Sequence, residues 1–222
     1  MNTHILQEII TLLNEFNKDN LVDFEIDTIR IKFNKRCKLE KLQKLGNWHK
    51  INSNNPLIAK LKDRLSAKQI TSAFQLENEP IYYCNIPDRP KYNKAQMVIF
   101  GLCQYHKDPP NINKVSQIAS TLKDISSIDL CVDFEAKPNI DNLSEYEVVQ
   151  YVDTNSKLPT DTYYINRTNI LMVDKVCIYN KAIKNKLGFS VNRFEATIQI
   201  PNSKYLALPL YELNKLFQKV LQ

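Results

Sequence analysis

Three segments in the C-terminal half alternate between apolar side chains and polar or ionisable ones. They are SIDLCVDF (127–134), DKVCIYNK (174–181) and VNRFEATIQI (191–200). Successive side chains of a β-strand point to opposite faces, so each segment is predicted to be a strand with one apolar face. The residues on the other faces are Asp129, Cys131 and Asp133, then Lys175, Cys177, Tyr179 and Lys181, and finally Arg193, Glu195, Thr197 and Gln199.

The rest of the hydrophobic pattern indicates where other elements lie. Helical spacing predicts amphipathic helices near the N-terminus, within 56–74, over 113–125 and from about 208 to the end. Further strands are predicted within 22–33 (two short strands, or one with a bulge), at 80–86, within 95–106 and at 161–166. Ser144 and Glu147 have the spacing of a capping box, which predicts a helix that runs to about Tyr151.

The order of these segments defines an expected fold class. Short links between the predicted strands favour antiparallel neighbours, and the helices can stack on one face. We therefore expect an α+β fold with a largely antiparallel sheet and helices packed on one face, preceded by a helical, basic N-terminal part. The expected division is 1–78 for the N-terminal part and 79–222 for the α+β part. No internal repeat is visible.

Composition narrows the function classes. The chain has 222 residues, and 30 Lys and Arg against 24 Asp and Glu give a net charge of +6, a mild bias toward polyanionic partners. No apolar run approaches the ~20 residues of a membrane helix, and MNTHILQEII lacks the features of a secretory signal. We expect a cytoplasmic protein with no membrane partner.

The numbers and spacings of cysteine, histidine and glycine exclude further classes of function. The five cysteines form no CxxC pair, which favours small buried side chains in a reducing compartment. The three histidines form no HxH or HExxH motif, which excludes histidine-rich metal chemistry. With only three glycines there is no phosphate-binding glycine loop, so nucleotide hydrolysis is not expected.

The polar faces of the three alternating segments predict a site. If the strands are neighbours, Asp129, Asp133 and Glu195 form an oxygen-rich cluster flanked by Lys181 and Arg193. Carboxylate oxygens suit Mg²⁺ or Mn²⁺, and the flanking cations suit a phosphate bound to that metal. The alternative interpretation is a solvated sheet face, on which alternating charges form ordinary exterior ladders.

The order and spacing of three segments and a nearby tyrosine resemble those of rolling-circle replication initiator proteins of plasmids and filamentous phages. The segments are SSIDLCVDF, VCIYNKAIKNK and RFEATIQI, and the tyrosine follows the last of them. In that group a strand of roughly [RS]-x-D-x-x-x-D precedes a Y-x-K strand and an R-x-E strand. The resemblance covers about Ala95 to Gln222, whereas Met1 to Phe74 matches no family that we can name.

This resemblance implies an enzyme that nicks and rejoins one DNA strand at an origin through a tyrosine nucleophile and a divalent metal, Mg²⁺ or Mn²⁺. Asp129 and Glu195 would be metal ligands, and Asp133 a ligand or a residue that orients one. Lys181 and Arg193 would contact phosphate. By position beyond the R-x-E strand, Tyr205 is the first choice of nucleophile, Tyr179 the second and Tyr211 the third.

The sequence departs from the group at one point. Many relatives carry two histidines on one strand as metal ligands, whereas segment 95–106 ends in the single His106, which could supply one imidazole. The implied DNA partner is an origin in single-stranded or hairpin form. A host helicase and a second copy of the chain are partners that the sequence leaves open.

Basic residues outside this constellation are candidate DNA contacts, because cations engage phosphates and an aromatic ring can stack on an unpaired base. For the candidates between Lys35 and Lys50, the alternative is a solvated helix face with Leu39, Leu42 and Leu45 turned inward. The candidates are Lys35, Arg36, Lys38, Lys41, Lys44, Trp48 and Lys50, with Lys184 and Lys186 in the basic segment AIKNKLG.

Two further functions are consistent with the sequence. One is a non-catalytic, sequence-specific DNA-binding protein in which the acidic residues are structural. The other is a relaxase of a mobile element, which uses related chemistry.

Overall fold

The computed structural model describes residues 5–34, 40–87, 93–105, 108–122, 124–201 and 206–222. The chain forms two compact units. The first consists of Met1–Glu8, Asp27–Gln104 and Asp108–Ser127, and the second of Ile9–Ile26, Tyr105–Lys107 and Ile128–Gln222. Residues 1–78 and 79–222 each contribute to both units, so the division at residue 78 does not coincide with their boundaries.

Helices and strands are distributed along the whole chain. The helices that lie wholly within the described residues are α1 (Ile5–Asn20), α2 (Pro56–Arg64), α3 (Ile112–Leu122), α4 (Lys181–Asn185) and α5 (Leu210–Leu221), with a 3-10 helix at Asp141–Leu143. The strands are β1 (Glu25–Asn34), β2 (Trp48–Lys50), β3 (Ser72–Leu76), β4 (Ile81–Pro87), β5 (Asn93–Ile99), β6 (Ile125–Phe134), β7 (Val148–Val152), β8 (Pro159–Ile165), β9 (Val173–Asn180) and β10 (Asn192–Gln199).

In the first unit, strands lie in the order β2-β3-β4-β5-β1 and each neighbour is antiparallel. Helix α2 begins at Pro56, and the Asn55 side chain caps it by accepting a hydrogen bond from the Leu57 backbone N–H. Leu61 and Leu65 bury the apolar side of this part of the chain. They pack in a cluster with Ile51, Ala73, Tyr82, Cys84 and Val98.

In the second unit, strands lie in the order β6-β10-β9-β8-β7. Strands β10 and β9, β9 and β8, and β8 and β7 pair in antiparallel fashion. Helix α5 packs on the apolar face, where the ring of Phe217 lies 5.4 Å from that of Phe134 and 5.5 Å from that of Phe194. The buried stripe of α5 is Leu210, Leu213, Leu216, Phe217 and Val220.

The α+β class and the largely antiparallel strand pairing agree with the sequence-based expectation, and the three alternating segments are strands β6, β9 and β10. The expectation of a helical N-terminal part does not hold in full. Strands β1, β2 and β3 lie there, and β1 pairs with β5, so strand pairing is not confined to residues after Pro80. The helix expected through Phe74 ends at Arg64 and is followed by β3.

The helix expected from Ser144 to Tyr151 is also wrong. Residues 148–152, VVQYV, form β7 and pair with β8. Three of these five side chains are β-branched valines and a fourth is tyrosine, so β-propensity and strand pairing outweigh the capping-box spacing. Among the described residues, no helix combines the length and the apolar character needed to cross a membrane.

Candidate functional site

The polar faces of β9 and β10 are joined by the register of the two strands. Arg193 lies opposite Tyr179, Glu195 opposite Cys177, and Thr197 opposite Lys175. Partners directly opposite each other in an antiparallel pair point to the same face, so these side chains share one surface.

Two side-chain contacts join β6 to β10, its neighbour in the sheet. The Thr197 hydroxyl donates a 2.7 Å hydrogen bond to Oδ1 of Asp129, and Arg193 binds Asp133. The contacts are four residues apart on each strand and run in opposite order, as in antiparallel neighbours. Glu195 is therefore a diagonal neighbour of both aspartates on the same face.

Asp133 is the centre of an ion-pair network. Arg193 donates from Nε to Oδ1 at 2.5 Å and from Nη2 to Oδ2 at 2.7 Å, a bidentate arrangement. Lys181 Nζ lies 3.6 Å from Oδ2, and the Tyr105 hydroxyl donates to the same oxygen at 2.8 Å. Both carboxylate oxygens are thus engaged by donors.

The cations of this network are buried. Arg193 is 2% exposed and Lys181 3% exposed. Charged side chains are rarely buried this completely unless they are paired. The carboxylate of Asp133 offsets part of the desolvation cost of burying the two cations. We call Asp133, Arg193, Lys181 and Tyr105 the ion-pair network.

The network shifts the titration of its members. Burial raises the pKa of Asp133, but hydrogen bonds and charge from Arg193, with Tyr105 and Lys181, outweigh burial and hold that pKa below its usual value. Burial lowers the pKa of Arg193, and the hydrogen bonds to Asp133 overcome this and raise it. Burial and the bond to Asp133 raise the pKa of Tyr105 to about 12.

Glu195 is part of a second group of contacts. Its Oε2 accepts a 3.1 Å hydrogen bond from the Tyr179 hydroxyl, and Tyr179 is only 5% exposed. Burial, reinforced by the charge of Glu195, raises the pKa of Cys177 to about 12, so this thiol stays protonated at neutral pH. Lys184 Nζ lies 4.0 Å from the centroid of the Tyr179 ring.

Helix α4 explains why two nearby lysines differ. The Asn180 side chain caps the helix by accepting a 2.8 Å bond from the Ile183 N–H, and Lys186 ends it in a left-handed conformation. This single turn buries Lys181 and leaves Lys184 exposed. The basic segment that links β9 to β10 is therefore partly helical.

The predicted set of three metal ligands is not found as a compact group. Asp129, Asp133 and Glu195 are all described, yet their ligand atoms do not all lie within 4.8 Å of one another. Asp133, with both oxygens bound by Arg193, fits an ion pair better than a metal site. Asp129, which is 1% exposed, accepts a hydrogen bond from the Thr197 hydroxyl, and Glu195 accepts one from the Tyr179 hydroxyl, so each carboxylate has a partner within the protein. His106 lies outside the described residues.

The three candidate nucleophiles differ in position. Tyr205, the first choice, lies outside the described residues. Tyr179 is buried on the polar face against Glu195, so its hydroxyl is poorly placed to meet a DNA strand. Tyr211 is exposed on α5, which packs on the apolar face, the side of the sheet opposite Asp129.

The remaining DNA-contact candidates lie in different environments. Lys35, Arg36 and Lys38 are outside the described residues. In the first unit, the Trp48 indole N–H donates to the Leu42 carbonyl at 2.9 Å and the ring packs on Tyr83, so this ring serves internal packing. The candidates with exposed side chains are Lys41, Lys44, Lys50, Lys184 and Lys186.

Sequence reasoning missed Tyr105 and Thr197 as contacts of the two aspartates. The position of Tyr105 beside His106 offered a weak signal, because that segment was already a candidate for a site. Thr197 was assigned to the correct face by alternation, but nothing in its local sequence pairs it with Asp129.

Comparison with known proteins adds no relative. No model of a protein family matches the chain, and no curated protein matches it at a significant level. The resemblance to rolling-circle initiators therefore depends on the three short motifs alone.

Proposed function

We propose that this chain is a DNA replication initiator of the rolling-circle type, which nicks and rejoins one DNA strand through a tyrosine and a divalent metal. The observation that carries the proposal is that Asp129, Asp133, Tyr179, Arg193 and Glu195 occupy one face of three strands in the second unit, where Lys181 and Tyr105 also bind Asp133. The motifs of the resemblance thus meet in space as well as in order.

The residue types suit phosphoryl transfer. A phenol has a pKa near ~10, so it attacks a phosphodiester slowly unless the phosphorus centre is made more electrophilic. The tyrosine oxygen would bond to phosphorus while the bond to the 3′ oxygen breaks, which gives a 5′ phosphotyrosine and a free 3′ hydroxyl. The phenol proton passes to solvent, and the 3′ oxygen takes a proton from solvent.

The chain's own charges have separate roles in this proposal. Arg193 and Lys181, which are 2% and 3% exposed and bound to Asp133, would act on the phosphoryl oxygens through their charge and not by direct contact, because charges act strongly where water is excluded. Asp129 and Glu195 would hold Mg²⁺ or Mn²⁺, which when bound polarises the scissile phosphate.

A second candidate function is a non-catalytic, sequence-specific DNA-binding protein. The observation in its favour is the bidentate bond between Arg193 and Asp133, supported by Lys181 and Tyr105. An aspartate held in this way has a structural role that requires no metal and no chemistry.

Covalent attachment to DNA separates the two functions. The chain would be incubated with Mn²⁺ and a library of end-labelled single-stranded and hairpin oligonucleotides, then resolved on a denaturing gel. The enzyme hypothesis predicts a labelled band at the mass of protein plus DNA that proteinase removes. Asp129→Ala with Glu195→Ala should abolish this band under the enzyme hypothesis and leave DNA affinity almost unchanged under the binding-protein hypothesis.

Two further results would bear on the assignment. Tyr205→Phe should abolish the adduct, with Tyr211→Phe as the matched substitution on α5. An adduct that persists in Tyr205→Phe would make the choice of nucleophile wrong. Tight DNA binding by the wild-type chain without any adduct would favour the binding protein.

A further inference from the structure

Two exposed aromatic side chains lie beside the ion-pair network. Tyr105 is 49% exposed and Phe189 53% exposed, and their ring centroids are 5.7 Å apart with an interplanar angle of 82°. Large apolar rings exposed to this extent and in contact with each other form a small aromatic surface. We call Tyr105 and Phe189 the aromatic platform.

The platform is fixed on one side. The Tyr105 hydroxyl is bound to Asp133, and Lys181 Nζ lies 4.8 Å from the centroid of the Tyr105 ring. A ring held by its hydroxyl and by a cation loses little conformational entropy when a ligand binds, which favours its use in recognition.

Charges of both signs accompany the platform: the carboxylates of Asp133 and Glu25 act on Tyr105, and two lysines precede Phe189 in the chain. Phe189 follows α4 by four residues, and that helix and its C-cap present the exposed side chains of Lys184 and Lys186. Exposed rings accompanied by exposed cations on the same segment are a combination that binds single-stranded nucleic acid, because the ring stacks on a base while cations hold phosphates. Paired bases in a duplex do not offer their faces to such a ring.

We propose that Tyr105 and Phe189 form a stacking surface for one unpaired base of single-stranded DNA, with Lys184 and Lys186 on the adjacent phosphates. The inference rests on the proposed function and deepens it, since it names the side chains that would hold an unpaired base.

The test measures binding without cleavage. Fluorescence anisotropy in EDTA would follow a labelled single-stranded oligonucleotide, the duplex of the same sequence and the matching RNA strand. Because stacking of a base on an aromatic ring is lost, Phe189→Leu should weaken binding of the single strand roughly 5- to 100-fold. Phe189→Tyr keeps a ring and should stay within about twofold of the wild type.

Further variants separate stacking from charge. Lys184→Gln should weaken binding and reduce the slope of log affinity against log salt by about 0.7, the value for one phosphate contact on a single strand. Leu171→Ala removes an exposed apolar side chain on the loop between β8 and β9 and is the matched control, with affinity unchanged. Circular dichroism would verify that Phe189→Leu is folded.

The proposal is overturned if Phe189→Leu binds the single strand as tightly as Phe189→Tyr does. It is equally overturned if the DNA single strand binds no tighter than the duplex, or if only RNA binding depends on Phe189. Failure of the platform and failure of the nicking hypothesis remain distinguishable. An adduct without Phe189-dependent binding contradicts the platform alone, and Phe189-dependent binding without an adduct contradicts nicking alone.

Discussion

The two units share an order of strands, but the equivalent face of the strands carries different side chains in each unit. Most of a ten-residue strand lies in each unit, β1 in the first and β6 in the second, and among the described residues four strands follow it, of which the last returns beside the first. An amphipathic helix, α3 or α5, follows the last strand in each unit. The two units are therefore topological repeats.

Strand register aligns the repeats residue by residue. Cys84 lies opposite Gln96 in the first unit, and Cys177 lies opposite Glu195 in the second. On this alignment NKAQMVI of β5 matches NRFEATI of β10. The site residues of the second unit and their counterparts in the first are Glu195 and Gln96, Arg193 and Lys94, Thr197 and Val98, Tyr179 and Ile86, and Asp129 and Arg30.

The comparison indicates that the architecture does not need the charges. In the first unit the corresponding face packs in the apolar cluster that includes Leu61 of α2, Cys84 and Val98. In the second unit it holds the ion-pair network. Replacing a buried ion pair with apolar residues is often neutral or stabilising, and the first unit forms the same strand order with apolar side chains on this face.

The largest expected effect is on stability. Asp133→Ala leaves two buried cations without their shared carboxylate, and we expect the free energy of unfolding to fall by about 3–5 kcal/mol. Urea denaturation measures this loss. The control in the first unit is Glu77→Ala, which removes the ion pair with Lys114 at the surface and should change stability little. If the two variants lose equal stability, the network is not the buried unit described above.

Exchanging equivalent residues of the repeats tests function. Glu195→Gln gives β10 the residue that β5 has, and we expect formation of the DNA adduct to fall by roughly 100-fold, as on loss of one preorganised electrostatic contact. Gln96→Glu makes the reverse change in the first unit and should leave the adduct unaffected. Equal rates for wild type and Glu195→Gln, measured by single-turnover gel assay, would remove Glu195 from the site.

Substitutions of the two equivalent cysteines should have smaller effects on stability, and the two effects should differ in size. Cys84 is fully buried among apolar side chains, so Cys84→Ser places a hydroxyl there at a cost of roughly 1–3 kcal/mol. Cys177 faces Glu195, which can accept a hydrogen bond, so Cys177→Ser should cost less. Thermal unfolding of both variants measures the difference, and a larger loss in Cys177→Ser would contradict the assignment of the faces.

The smallest expected effect appears only in acid. The pKa of Asp133 in the folded chain lies below the ordinary value of ~3.9, so the unfolded chain binds this proton more readily. The stability contributed by Asp133 is complete above about pH 5 and is lost as the pH falls through the folded-state pKa. The difference between the urea midpoints of wild type and Asp133→Ala should be constant from pH 7 to about pH 5 and should become smaller toward pH 3. A constant difference over that range would show that the charge of Asp133 is not responsible.

The sequence predicted the polar face because a strand has a period of two residues. Asp129, Asp133, Arg193 and Glu195 were assigned to one face by alternation alone, and the register of β9 and β10 agrees. The different contacts that the three carboxylates make were not predictable. That Arg193 engages both oxygens of Asp133 depends on strand pairing across 60 residues of sequence.

Two other features were beyond local pattern. The repeat was not recognised because equivalent residues differ in charge or polarity. Gln96 is neutral where Glu195 is charged, and Ile86 is aliphatic where Tyr179 is a phenol. Only the strand order shows that these positions are equivalent. Tyr105 was missed because its contact with Asp133 joins residues 28 apart in sequence, and the local pattern of a short segment carries no information on such a partner.

The most direct test of the central claim is to identify the residue that carries DNA. The wild-type chain, incubated with Mn²⁺ and single-stranded DNA, would be digested with protease and nuclease and analysed by tandem mass spectrometry. The account predicts a nucleotide on the phenolic oxygen of Tyr205, absent when Asp129 and Glu195 are replaced by alanine. A modification on another residue, or the same yield in that double variant, would contradict it.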